Sequence, residues 1–304
     1  MDGLPTSDGA VGFGLLVTGA APALALGSLF RVAQSSVGTL GWFALGTVAT
    51  VWAAMLCPAG YKLLRYPSTR TVSLGRLVSE LRRGRLGALR SGLLVSFSGI
   101  DGAGKTTQAE RLIEEFEAID VPAVHVWARW RPFVSYPLMG VLYVLFGWRR
   151  KDYHRSRTLR HVWGYLVALD QLIFFSRHLL VPLLRGKVVF VDRYLLDQLV
   201  ELEYDGLYNP RAATLLRRLL PSPERTVLME VPVETALDRK DDTQEMLDRL
   251  HIDTDARTYL ERRQELYRKH AADVGHVTRV DTSRPIEETN EELRDSLFDT
   301  YFRF

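Results

Sequence analysis

Residues Gly99-Ile-Asp-Gly-Ala-Gly104-Lys105-Thr106 fit the pattern G-x-x-x-x-G-K-[ST] at every fixed position. Each residue type has a use in gripping phosphate. Gly99, Gly102 and Gly104 allow backbone conformations in which successive N–H groups point into one concavity. Lys105 supplies a point charge for the outer phosphates, and the Thr106 hydroxyl is a ligand for Mg²⁺. The segment Gly99, Asp101, Gly102, Ala103, Gly104, Lys105, Thr106 and Thr107 is therefore the candidate nucleotide-binding stretch, with ATP and Mg²⁺ the expected pair. The helix that follows, through Phe116, would place its positive dipole end under the anion.

A second constellation, Asp192-Arg193-Tyr194, closes the apolar run Val188–Val191. A carboxylate at a strand tip beside such a loop can hold the metal or the metal's water. Asp192 is thus the second candidate metal ligand, and with Lys105 a candidate catalytic group. Arg193 can meet a phosphate bidentately, so Arg193 and Tyr194 are assigned to the acceptor.

The nature of the acceptor follows from charge. A hydroxyl acceptor must lose a proton to a carboxylate within reach, whereas a phosphate acceptor is already ionised and needs cations. The end of the second apolar run, Ala123–Val126, carries Arg129 and Arg131 and no carboxylate. That favours an anionic acceptor, while Asp101 keeps a hydroxyl acceptor open. The glycine loop lacks an arginine, so charge developing in the transition state must be met from elsewhere. Arg249 and then Arg239 are the candidates, flanking with Lys240 an acidic, irregular stretch over Asp241–Asp248. An arginine so placed is worth roughly 10³–10⁵ in rate.

These residues need a scaffold. From Leu93 onward short apolar runs alternate with longer stretches of helical period, the pattern of a parallel α/β domain. Leu93–Ser98 reads as its first strand. Pro132–Trp148, almost wholly apolar, reads as a buried core helix, with a helix lying against a membrane as the alternative. Tyr165–Leu184 reads as a core helix packed on the sheet.

The first 61 residues differ in kind. Residues 10–30 and 37–57 each run for 21 residues without a charge, enough to span a bilayer as a helical hairpin. Residues 62–91 carry eight arginines and lysines against Glu80 alone, so the positive-inside rule places both termini and the remaining domain in the cytosol. The expected division is a membrane hairpin over 1–61, a basic linker over 62–91 and a phosphate-binding domain over 92–304. A net charge of +3 with interleaved signs is too small to argue for a nucleic-acid partner, and none is expected; the single cysteine, Cys57, excludes an intrachain disulfide.

FSGIDGAGKTTQAERL and VDRY together resemble the thymidylate kinase family. Leu228–Arg239 is similar to the family's fourth strand running into the lid. Asp248-Arg249 with Tyr259–Tyr267 is similar to the lid and the helix behind it. Val280-Asp-Thr-Ser283 with Pro285-Ile-Glu-Glu resembles the last strand and the loop bordering the adenine. The resemblance implies a five-stranded parallel sheet wrapped by helices, with Mg-ATP as donor and room for a homodimer. It also implies that the acceptor is read by the helix before the third strand, at Asp170 and Gln171.

The acceptor half departs from the family pattern. Where the family pairs Asp with Arg, the chain has Asp170-Gln171. Small hydroxyls usually follow Asp-Arg-Tyr, and here stands Leu195-Leu-Asp197-Gln198. In place of Arg-Glu-Pro-Gly-Gly there is Trp127-Ala-Arg129-Trp-Arg131-Pro132. The expected function is a membrane-anchored phosphotransferase acting on a nucleoside monophosphate, dTMP by family default. A lipid- or glycan-linked acceptor and a non-catalytic ATP-dependent membrane switch are the alternatives.

Overall fold

The computed structural model describes residues 92–128, 132–240, 242–250 and 252–303, together with Ala53, Cys57, Pro58 and Tyr61. The expected hairpin over 1–61 (Ala53, Cys57, Pro58 and Tyr61 apart), the basic linker, Arg129 and Arg131 lie outside the described residues. The chain divides into two compact units. One comprises Leu93–Ala168 with Lys187–Phe304 and carries the sheet; Leu169–Gly186 belongs to the other.

Five parallel strands form the sheet: β1 (Leu94–Ser98), β2 (Ala123–Trp127), β3 (Val188–Asp192), β4 (Arg225–Glu230) and β5 (Val277–Asp281). Their spatial order is β2-β3-β1-β4-β5. The central strand β1 and its neighbour β3 are buried along their whole length, Ser96 and Ser98 of β1 included. Register sets Phe97 opposite Asp192, so the tips of β1 and β3 end side by side. The expected strands are present, β2 and β3 each one residue longer than read.

Helix α1 (Lys105–Ala118) lies against β1, β2 and β3. Its Phe116 meets Phe190 edge-on at 5.6 Å and Phe298 at 4.7 Å, fastening α1 between the sheet and the C-terminal helix. Helix α2 (Ser135–Phe146) corrects a sequence expectation. Leu142 is buried, and Leu138 and Met139 join a cluster with Tyr153 and Trp163, but Tyr136, Tyr143, Val144, Leu145 and Phe146 are exposed. It is not a core helix.

Helix α3 (Arg157–Phe174) continues through a π-helical turn, Phe175–Leu179, into α4 (Leu180–Leu184). Pro182 cannot donate to the turn before it, and the helix widens there. Among the described residues Arg157–Leu184 is the one helix long and apolar enough to cross a bilayer, but 72% of its most apolar window is buried in the protein.

After β3 come α5 (Leu195–Tyr204) and α6 (Pro210–Leu219), the latter capped by Asn209, whose side chain accepts from the Arg211 amide at 2.9 Å with proline in the first turn. After β4 come α7 (Val233–Arg239), α8 (Thr243–Leu250) and α9 (Ala256–Ala271), and α10 (Ile286–Arg303) follows β5. The acidic stretch read as irregular is in fact mostly the ordered helix α8. Its apolar Leu247 is fully buried, and that anchor gives the helix its fixed face.

Candidate active site

The loop between β1 and α1 turns only because glycine stands where it does. Gly99 has φ +144°, and a Cβ there would sit 2.5 Å from the Met229 carbonyl oxygen. Gly102 has φ +84°, and its Cβ would meet the Ala236 carbonyl oxygen at 2.4 Å. No L side chain fits either position, so the backbone of the loop presses directly on β4 and α7. Helix α1 opens without a side-chain cap among the described residues, and its first N–H groups face the loop's hollow.

Lys105 is buried and donates to the carbonyl oxygens of Gly99 at 3.0 Å and Ile100 at 2.8 Å. Burial and then the Arg193 charge push its ammonium down to about 8, against the pull of Asp101, Asp192 and Asp197. The Thr106 hydroxyl donates to Asp192 Oδ2 at 3.0 Å. Asp192 is itself buried, and its Oδ1 has no hydrogen-bond partner among the described residues. A buried carboxylate oxygen without a donor, beside a threonine hydroxyl at a phosphate loop, suits a hard divalent cation. Thr106 and Asp192 are the residues that could hold one.

Arg193 adopts φ +64°, a strained conformation for a side-chain-bearing residue. Its amide donates to the Phe97 carbonyl at 3.0 Å, while its guanidinium pairs with Asp101 and lies 3.7 Å from Asp197. Burial favours a neutral Asp101, but the Arg193 guanidinium and then Lys105 outweigh it and hold the carboxyl at about 2. Asp101 is therefore ionised and pinned to the arginine, which makes it a poor base for a hydroxyl acceptor. Tyr194 is not in the groove: its ring is fully buried and its hydroxyl donates to the Pro221 carbonyl at 3.2 Å.

Asp197 links the loop to α9. Its Oδ2 accepts from Ser98 Oγ and its Oδ1 from the Tyr267 hydroxyl, both at 2.6 Å. Beneath it Arg263, 3% exposed, donates to Glu201 at 2.7 Å and lies over the rings of Tyr204, Tyr259 and Tyr267 at 5.4–6.0 Å. Arg150 holds the other Glu201 oxygen at 2.7 Å and also pairs with Asp205. Burial alone would raise Glu201, but Arg263 and Arg150 keep it well below the carboxylate range. Sequence reasoning missed this network. The available signal was spacing: Asp197 and Glu201 on α5 and Asp205 at its C-terminal cap repeat every four residues, and Tyr259, Arg263 and Tyr267 do so on α9.

On the other side of the loop a cleft of about 370 Å³ runs past Gly104, Thr107, Gln108, Arg239, Thr282 and Ile286. Arg239 donates to the Thr282 carbonyl at 3.0 Å, so it lines this cleft. Arg249 is exposed on α8 and pairs with Glu245 one turn earlier at 2.8 Å. The structure thus brings Lys105, Thr106, Asp192, Arg193 and Asp101 to one place, with Arg239 beside it, and leaves Arg249 outside the group. Asp170 and Gln171 are buried on α3 in the segment belonging to the other unit.

A parallel sheet with a lysine-threonine loop after its first strand and a buried aspartate on the adjacent strand tip defines a P-loop phosphotransferase. A family model described as Thymidylate kinase matches residues 151–293. The chain is 31% identical over 202 residues to a thymidylate kinase of Desulforudis audaxviator, covering 64% of this chain and 85% of that protein. It is 29% identical over 224 residues to one of Symbiobacterium thermophilum, covering 66% and 91%, and 26% identical over 202 residues to a probable thymidylate kinase of Archaeoglobus fulgidus, covering 66% and 93%. The chain belongs to the thymidylate kinase family. It is a phosphotransferase, a nucleoside monophosphate kinase, and the switch without chemistry is set aside.

Proposed function

We propose that this protein transfers the γ-phosphate of ATP to dTMP, from a position anchored at a membrane. One observation carries the chemical part: the buried Lys105 ammonium and the Thr106–Asp192 pair with its unpartnered oxygen meet at the mouth of an uncapped helix. Thymidylate kinases among the relatives support the choice of acceptor.

In this reading Lys105 leaves the loop carbonyls and turns to the phosphates, while the α1 amides and the loop amides orient them. Mg²⁺ held by Thr106 and Asp192 would neutralise charge on the phosphate oxygens. Arg193, held by Asp101, offers its remaining N–H groups to the acceptor phosphate, as a cation rather than as an acid or base. No group need take a proton from that acceptor, since a monophosphate enters already ionised. Arg239 reaches the donor side of the loop and is the first candidate for charge stabilisation there, ahead of Arg249. Arg129 and Arg131 remain assigned to the acceptor by their charge and position in the sequence.

A lipid- or glycan-linked monophosphate is the second reading. It is favoured by Gln171, an uncharged side chain where the family pattern has an arginine. The two separate in one experiment on the detergent-solubilised full chain, following ADP release with ATP and Mg²⁺. Addition of dTMP is expected to raise the rate at least tenfold over ATP alone. Stimulation by a detergent extract of lipids but by no nucleoside monophosphate would replace dTMP with the linked acceptor. Lys105→Met, which keeps the buried stem, is expected to lower kcat by about a thousandfold or more; a rate within threefold of the parent's would show that the phosphate loop is misassigned.

A further inference from the structure

Helix α2 contains no charged residue, yet it is largely exposed: Val144 at 79%, Tyr136 at 68%, Leu145 at 66% and Phe146 at 60%. A soluble surface rarely shows so many large apolar side chains on one helix, because each leaves ordered water at its face. The helix is nonetheless fixed in place by Leu142, Leu138 and Met139, which pack with Tyr153, Leu159 and Trp163. Its inner side belongs to the fold and its outer side to something else.

Charge identifies what that is. Between Pro132 and Ala168 the chain carries six arginines and lysines and a single carboxylate, Asp152. Arg149 and Lys151 stand exposed at the C-terminal end of α2, and Arg155, Arg157 and Arg160 are exposed just beyond. A protein partner covering α2 would meet that cationic border and need carboxylates at matching points. An anionic bilayer surface supplies negative charge everywhere along the border and hydrocarbon beneath it. Tyr136, Tyr143 and Trp148 are of the types that settle at the headgroup level. We infer that α2 lies in the interface of an anionic membrane, its apolar outer face among the acyl chains and Arg149 and Lys151 at the headgroups. The inference does not depend on the N-terminal hairpin: a tether brings the domain near a bilayer, whereas α2 would insert into one.

The test uses the full chain with Cys57→Ser and Val144→Cys, carrying an environment-sensitive fluorophore at position 144 and reconstituted into vesicles. A second preparation carries the label at Glu291→Cys, at an exposed position on α10. In vesicles containing phosphatidylglycerol, the label at 144 is expected to shift to the blue, resist aqueous iodide and be quenched by nitroxide-bearing lipid, while that at 291 remains open to iodide. Arg149→Gln with Lys151→Gln is expected to weaken the insertion about tenfold. Iodide quenching at 144 as strong as at 291 would overturn the inference. So would protection from iodide without quenching by lipid nitroxide, which would mean that a second copy or another part of the chain covers the helix. Equal insertion into phosphatidylcholine vesicles would overturn the role of the basic border.

Discussion

Asp101 and Arg193 come from different loops, and each explains the other's burial. Without Asp101 the guanidinium would be a poorly compensated charge beside Lys105; without Arg193 the carboxylate would lose its largest counter-charge. The pair makes stability depend on acid in a specific direction. Asp101 titrates near 2 in the folded protein instead of the usual 3.8, so the folded state holds its carboxylate form more tightly than the unfolded state does. Its contribution is complete above the unfolded value and disappears as pH falls through the folded one. Between pH 4 and 2 the parent should therefore lose up to about 2 kcal/mol that Asp101→Asn does not lose. Urea unfolding at pH 5, 4 and 3 measures the difference; parallel losses in the two proteins would contradict the assignment. The same pairing explains why Asp-Arg-Tyr was only partly legible. The aspartate and arginine sit at a strand tip where an exposed role was readable, but the next position faces inward, and Tyr194 is core.

At the scale of elements, α5 and α9 are joined by ionised groups as well as by apolar contact. Glu201 lies between Arg263 and Arg150, and α9 carries the aromatic cage around Arg263. Such a buried group is costly to break singly, since the partner's charge remains behind. Arg263→Leu is expected to destabilise the protein by about 3–5 kcal/mol, and Glu201→Leu added to it should restore part of that loss. Denaturant unfolding of the two single variants and the double variant gives the coupling; strict additivity would mean that the two side chains do not interact. Two elements were misread from sequence for opposite reasons. The stretch Asp241–Asp248 looked irregular because it is acidic, although Leu247 gives it a buried side. Pro132–Trp148 looked like core because it is apolar, and apolar composition does not say which faces find a neighbour.

For the whole molecule, the proposal gives the N-terminal charge-free runs and the P-loop domain different solvents on one chain. If residues 10–30 and 37–57 span a bilayer as proposed, the full chain should remain in the membrane pellet after alkaline carbonate extraction. A chain lacking residues 1–61 should lose that resistance, whatever weaker attachment α2 provides, because a surface-bound helix is released where a spanning one is not. Release of the full chain by carbonate would remove the anchor from the proposal.

The phosphate loop was determined by the sequence alone, since local backbone conformations that only glycine adopts, followed by lysine and threonine, leave little for distant residues to decide. The order of strands and helices was determined in the same way, by runs of apolar residues at characteristic periods. Only the tertiary structure decided which charges meet. Asp101 with Arg193, Thr106 with Asp192 and Glu201 with Arg263 are each separated by at least 62 residues, and their pairing follows from parallel strands ending side by side and from α9 packing on α5. Exposure was decided there too: the outer face of α2 and the inward turn of Tyr194 depend on what the rest of the chain places next to them.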